Sequence, residues 1–250
     1  MNWHERYVQQ ATWTRELRHY VLGRSRWSES QRVLEVGCGT GAVFADNAAA
    51  MGNGNSTPRL YGLDISASSL SVCRQHVPQA VVVCGDAAAL PFESARFEIT
   101  YCHYLLLWLS EPVRALREMR RVTEPSGYVI AFAEPDYSAR VDSPPELVEL
   151  GKQQNAALAE QGVALHRGAE LSDLFREAGI GVIETGPIQT AGTPGSSALD
   201  FQEEWRILES DLDGKLTSGE LQRLHAIDQA AIQRGERRIS VPTYFAWGQV

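Results

Sequence analysis

Between Arg32 and Ala133, short apolar runs alternate with stretches of helical period, and this rhythm limits the fold more than any other feature of the chain. Residues 32–36, 59–63, 79–84, 97–102 and 128–133 read as strands. Residues 41–51, 66–76 and 111–122 read as helices between them, the second opened by Ser66 as N-cap. Such strand–helix–strand units require right-handed crossovers and a mostly parallel sheet. The loops leaving the carboxyl ends of the strands then gather along one edge, where α/β proteins bind ligands. Two later runs, 181–189 and 243–250, complete a seven-stranded, doubly wound, Rossmann-like α/β sheet.

Outside this rhythm, residues 3–22 read as one amphipathic helix within an N-terminal segment 1–25. Tyr7, Ala11, Thr14 and Arg18 form one row, and Trp3, Trp13, Leu17 and Tyr20 supply apolar bulk. After Ala133 come Pro135, Pro144 and Pro145, then helices near 145–161, 170–178, 198–210 and 218–234. Residues 52–55 read as a surface loop and 192–195 as a flexible turn. The stretches 137–170 and 196–238 read as insertions that build a helical cap on a single domain, 1–250. Within it, Trp205, Leu208, Leu221 and Leu224 lie at helical spacings that suit packing.

A chain of 250 residues that is 44% hydrophobic can bury one sizeable core and a cap. Its net charge of −8 opposes non-specific binding to nucleic acid or to an anionic membrane. The local basic excess in residues 1–32 reads as a solvated helix face. Cys38, Cys73, Cys84 and Cys102 form no C-x-x-C pair, so no metal site is expected and the thiols should be reduced. No apolar run approaches the roughly 20 residues that span a bilayer, and the N-terminus carries no hydrophobic signal region, so a cytoplasmic location is expected.

The chemistry concentrates in Glu35-Val36-Gly37-Cys38-Gly39-Thr40-Gly41. Glycines there let the backbone pass close to a ligand, and the helix that follows offers free N–H groups. Asp64, at the end of the second strand, can accept both hydroxyls of an adenosine ribose. Gly37-x-Gly39-x-x-Ala42 also fits a dinucleotide fingerprint. Against a nicotinamide enzyme stand Glu35, where that fold has an apolar residue, and the lack of any Tyr followed four residues later by Lys.

Val33-Leu34-Glu35-Val36-Gly37-Cys38-Gly39-Thr40-Gly41 resembles motif I of the class I S-adenosylmethionine (SAM)-dependent methyltransferases. Leu60-Tyr61-Gly62-Leu63-Asp64-Ile65-Ser66 resembles their ribose-binding strand end, and Cys84-Gly85-Asp86-Ala87-Ala88-Ala89-Leu90-Pro91-Phe92 their adenine-contacting loop. Residues 97–109 resemble the fourth strand and its following helix, and Pro125-Ser126-Gly127 stands where the family often has Pro-Gly-Gly. The similarity covers about residues 30–135. It implies SAM as cofactor and a small-molecule acceptor. It implies that Glu35, Gly37, Gly39 and Gly41 hold the methionine part, Asp64 the ribose, Ile65 and Ala87 the adenine ring, and Asp86 its amino group. The backbone near Cys102 would border the methionine amine. Glu98 replaces the usual Asp after Phe97, in a structural role.

Methyl transfer from a sulfonium is an in-line displacement, so the protein mainly aligns nucleophile, carbon and sulfur. For a hydroxyl or ammonium acceptor a base is needed, and His103, just past the fourth strand, is the candidate catalytic residue. Tyr104, Glu134, Asp136 and Tyr137 are substrate candidates at strand ends, and the other histidines read as surface. Competing readings are a methyltransferase acting on nucleic acid or protein, a nicotinamide oxidoreductase, and a non-enzymatic SAM binder.

Overall fold

The structure, a computed structural model, describes residues 3–27, 30, 32–50, 59–188 and 198–250. The loop expected at 52–55 and the turn at 192–195 lie outside them. In chain order come helices α1 (Trp3–Trp13) and α2 (Arg15–Arg24), strand β1 (Arg32–Val36), α3 (Ala42–Ala50), β2 (Arg59–Asp64), α4 (Ala67–His76) and β3 (Val81–Cys84). Next are β4 (Phe97–Cys102), a single 3-10 turn (Leu106–Trp108), α5 (Pro112–Val122) and β5 (Thr123–Pro135). A second 3-10 turn (Tyr137–Ala139), β6 (Val141–Ser143), α6 (Pro145–Glu160), α7 (Arg167–Glu177) and β7 (Gly181–Pro187) follow. The chain closes with α8 (Ala198–Asp211), α9 (Ser218–Gln233), β8 (Arg238–Ser240) and β9 (Thr243–Gln249).

Seven strands form one sheet in the order β3-β2-β1-β4-β5-β9-β7. The pairs β2–β3, β1–β2, β1–β4 and β4–β5 are parallel, and β9 runs antiparallel between β5 and β7. The interior strands are buried almost without a break, as a sheet covered on both faces requires. The order in which strands are added switches sides between β1 and β4, which stay parallel, and this is the crevice where ligands bind in such folds. Residues of α1 to α4 pack with Val33, Ile99, Tyr101 and Phe132 on one face. Residues of α5 and α7 pack with Leu34, Val36, Cys102 and Val129 on the other.

Three expectations change. The single N-terminal helix is two, broken at Thr14, and its buried row is Ala11, Thr14, Arg18 and Val21, while Tyr7, Trp13 and Tyr20 face outward. Arg18 is fully buried, so the basic N-terminal segment is not wholly a solvated face. The strand expected at 128–133 begins earlier, and residues 124–127 are an irregularity inside a longer β5: Phe97 pairs with Thr123 but Ile99 pairs with Tyr128, and Ser126 takes a φ of 69°. Glu98 accepts from the Arg32 backbone N–H at 2.5 Å and from its guanidinium at 2.9 Å, tying the starts of β1 and β4 together.

The stretches read as insertions are joined by an antiparallel β6–β8 pair. Leu147, Leu150, Phe201, Trp205, Leu208 and Leu212 from α6, α8 and the turn after it form a separate apolar cluster. Helix α7, which begins inside the stretch 137–170, instead packs its Leu171 and Phe175 onto the sheet. No described helix is long and apolar enough to cross a membrane.

Candidate active site

The glycine turn links β1 to α3 at the switch point. Gly37, Gly39 and Gly41 all have left-handed backbone, with φ of 76°, 50° and 82°. The N–H groups of Gly37 and Cys38 both donate to Leu63 O, at 2.7 and 3.0 Å, which pins the turn to the end of β2. A Cβ on Gly37 would lie 2.8 Å from Leu105 Cδ1, and one on Gly41 would lie 2.7 Å from Cys73 Sγ. A Cβ on Gly39 would meet nothing nearer than Asp64 Oδ2 at 4.0 Å. Gly37 and Gly41 are therefore packed against the protein, and Gly39 faces open space.

Asp64 accepts from the Gly39 N–H at 2.8 Å through Oδ2 and from the Ser66 N–H at 2.8 Å through Oδ1. Its carboxylate is thus fixed beside Gly39, with further lone pairs on both oxygens. Ile65, next along, is 77% exposed, an apolar side chain left bare at the strand end. Cys84 is the partner of Asp64 in the sheet register, which brings the following loop alongside. There Asp86 accepts from the Ala88 N–H at 2.8 Å, and Ala87 is buried with no acceptor for its N–H among the described residues. Asp86 therefore shapes its own turn while remaining exposed. A concave glycine, a fixed carboxylate, a bare apolar side chain and a free N–H suit the adenosine half of a nucleoside cofactor.

Glu35 lies differently from the reading that placed it on the methionine part. It is 2% exposed, on the face of β1 that meets α2 and α3, and accepts from Tyr101 Oη at 2.7 Å, its register partner on β4. Burial pushes its carboxyl up to about 8, against the lowering effect of Tyr101 and of the Arg18 charge. Arg18 donates to Asn47 Oδ1 at 2.9 Å and to Ala11 O at 2.6 Å, and also to Thr14 Oγ1 and Asp46. Glu35 thus supports the turn from within the core. Cys102 is likewise fully buried, and its thiol belongs to the core.

His103 stands where β4 ends. Its Nε2 lies 2.9 Å from Thr14 Oγ1, and burial together with the Arg18 charge holds its imidazole well below the usual histidine range. Tyr104 packs edge-on to it, 4.6 Å between ring centroids, with a φ of 51° that a non-glycine residue adopts only under constraint. Burial and the neighbouring Tyr137 hold the Tyr104 phenol above its usual range, so it is a hydrogen-bond donor. Tyr104 and Tyr137 pack together with Leu107, Leu158, Val163 and Leu165.

The two acids expected to meet substrate are engaged in the fold. Glu134 is fully buried and accepts from the N–H groups of Leu105, Leu106 and Leu107 at 3.1, 2.8 and 2.9 Å. It caps the 3-10 turn after β4, and burial raises its carboxyl to about 7 despite those three bonds. Asp136 is buried and caps the second 3-10 turn through Ser138.

The sequence reading missed Thr14, Arg18, Asn47 and Tyr101, which build the inner wall. Tyr101 was accessible in principle, since strand alternation puts it on the face of Glu35. It also took His4 for surface. Its Nδ1 lies 2.9 Å from Thr40 Oγ1 in the glycine turn, and its ring stacks on His76 at 3.6 Å. His225 on α9 packs on Phe201 and Trp205 of α8, and His166 pairs with Glu170.

Comparison with known proteins agrees with this geometry. Residues 34–131 match the family model described as a methyltransferase domain. The chain is 35% identical over 124 residues to a malonyl-acyl-carrier-protein O-methyltransferase of Erwinia pyrifoliae, covering 50% of this chain and 45% of that one. It is 33% identical over 126 residues to a demethylmenaquinone methyltransferase of Renibacterium salmoninarum, covering 50% and 51%. The chain thus spans about half the length of these curated relatives. Its fold is similar to the 4+2 cyclase SpnF, with TM-score 0.60, 17% identity, and 94% and 80% of the two chains covered. It is also similar to phosphoethanolamine N-methyltransferase 2 of Haemonchus contortus in complex with S-adenosyl-L-methionine, with TM-score 0.55, 16% identity, and 88% and 48% covered. The ordered motifs, the sheet topology and the family match together make residues 34–131 similar to a methyltransferase domain, on a fold shared with methyltransferases.

Proposed function

We propose that the protein binds SAM at the glycine turn and transfers its methyl group to a small-molecule acceptor. The observation that carries this reading is the pairing of Gly39, open to space, with an Asp64 carboxylate fixed beside it at 2.8 Å. Asp64 would hold the ribose hydroxyls, Ile65 would pack on the adenine, and the Ala87 N–H and Asp86 would meet the edge of the ring. Gly37, Gly39 and Gly41 would shape the path of the methionine part, with Glu35 and the backbone at Cys102 supporting it from behind. Bound there, SAM supplies a methyl group already activated by its sulfonium.

His103 is the side chain that meets the acceptor's nucleophilic atom, with Tyr104 and Tyr137 beside it. Glu134 and Asp136 act indirectly, by fixing the 3-10 turns that border this wall. Alignment of nucleophile and methyl carbon is the main contribution, of a kind that supplies about 7–11 kcal/mol in ideal cases. A small acceptor accords with the net charge of −8 and with the curated relatives' names. A cytoplasmic location belongs to the same reading.

Thermal-shift titration tests the cofactor. SAM or its demethylated product should raise the melting temperature by mass action, and Asp64→Ala should abolish the rise. A rise with NAD and none with either SAM species would refute the assignment. Incubation with methyl-labelled SAM and metabolite extract then tests transfer. SAM binding without any labelled product would point to a different reaction on the same fold.

A further inference from the structure

Among the described residues, the three acids behind the acceptor wall already carry internal bonds. Glu35 serves Tyr101, Glu134 caps three backbone amides, and Asp136 caps Ser138. That leaves His103, and His103 is held from the rear. Thr14, at the break between α1 and α2, puts Oγ1 2.9 Å from its Nε2 and 3.3 Å from Ala11 O, and makes no side-chain cap bond to α2. Arg18, one turn further on and fully buried, donates to that same Oγ1. Of the titratable groups around the imidazole, the Arg18 charge on α2 bears on it directly, while Asp46 on α3, Glu35 on β1 and Tyr101 on β4 bear on Arg18.

A buried cation behind an imidazole opposes a second positive charge on it. We propose that Thr14 and Arg18 clamp His103 as an orienting hydrogen-bond partner, not a proton acceptor, so that the site selects acceptors whose nucleophilic atom is already ionised. This rests on the methyl-transfer reading above. A carboxylate, or the anion of an acidic phenol or enol, meets the requirement. Its oxygen forms the bond to the methyl carbon, the C–S electron pair stays on sulfur, and anion and sulfonium become two neutral products with no proton to move. An aliphatic alcohol or an alkylammonium would need a base that the described residues do not offer. Thr14 and Arg18 are positioning residues in this scheme.

The first test needs no acceptor. In NMR of the 15N-histidine-labelled full chain from pH 5 to 9, His103 should show one tautomer and no titration. Thr14→Val should add the second tautomer, with Thr14→Ser restoring one, and Arg18→Met should bring titration into the range. Titration of His103 between pH 5 and 8 in the wild type, or an unchanged tautomer in Thr14→Val, overturns the clamp even if Arg18→Met fails to fold. The second test uses the labelled product from metabolite extract. The label should sit on a carboxylate or acidic phenol or enol oxygen. His103→Gln should raise the acceptor KM about 10-fold and leave the shape of the pH–rate profile unchanged. Label on an aliphatic hydroxyl or an amine, or loss of the rising limb in His103→Gln, overturns the selectivity. If no extract yields a labelled product, methyl transfer fails as a reading while the NMR still decides the clamp.

Discussion

Gly39 and Gly41 share a left-handed backbone for different reasons, so they should fail differently. Alanine at either position costs about 1 kcal/mol for the conformation alone. Gly41→Ala adds a Cβ 2.7 Å from Cys73 Sγ inside the core, whereas Gly39→Ala adds one to open space. Urea unfolding should therefore show Gly41→Ala losing about 2–4 kcal/mol. Gly39→Ala should keep most of its stability and lose the thermal shift by SAM. Glu35 gives a second prediction. Its carboxyl is raised to about 8, so between its ordinary value and pH 8 the native state holds a proton that the unfolded chain has released. Stability should thus fall as pH rises through this window, by at most about 1.4 kcal/mol per unit from this group. Between pH 7 and 8 the lowered His103 is neutral folded and nearly so unfolded, and contributes little. Chemical denaturation at pH 7 and 8 should show a smaller loss in Glu35→Gln than in the wild type.

At the scale of elements, the strands and connecting helices were legible because apolar periodicity reports burial directly. Ser66 was readable as a cap and accepts from Ser69 N as expected. The 3-10 turn Leu106–Trp108 was not readable, because its stability comes from Glu134 at the far end of β5. The same long-range bonds explain why Glu134 looked like a substrate residue: an acid after a strand has one signature whether it faces a ligand or caps a turn. Glu134→Ala would strip three backbone N–H groups of their acceptor, each bond to a charged group being worth about 1.5–3 kcal/mol. It should cost at least about 3 kcal/mol in urea unfolding and speed amide exchange at Leu105, Leu106 and Leu107. The break at Thr14 escaped sequence reading too, since the row of Ala11, Thr14 and Arg18 suits one continuous helix. Asp46 and Asn47, from another helix, complete the set of acceptors that makes it favourable to bury Arg18.

For the whole molecule, the cluster of α6, α8 and α9 is held by a polar core as well as an apolar one. Asp228, fully buried on α9, accepts from Arg237 Nε at 2.6 Å and from Trp205 Nε1 at 2.8 Å, and Arg237 also reaches Glu204. Breaking a buried ion pair from one side costs about 3–5 kcal/mol. Asp228→Ala should therefore loosen α8, α9 and the β6–β8 pair, and limited proteolysis should cut between residues 198 and 240 before it cuts the sheet. Sequence alone determined the seven-stranded sheet and the glycine turn that leads from its first strand, with Asp64 at the end of the second, because these rest on local periodicity and on residues whose spacing along the chain fixes their place in the fold. The tertiary structure decided which polar groups are free. It moved Glu35, Glu134 and Asp136 into internal bonds, brought Thr14 and Arg18 from the N-terminus to the back of His103, and left Gly39 facing space. Apart from the local cap of Asp136 on Ser138, those outcomes depend on partners as far as 89 positions away, and a hydrogen bond made across such a separation leaves no pattern in the order of residues.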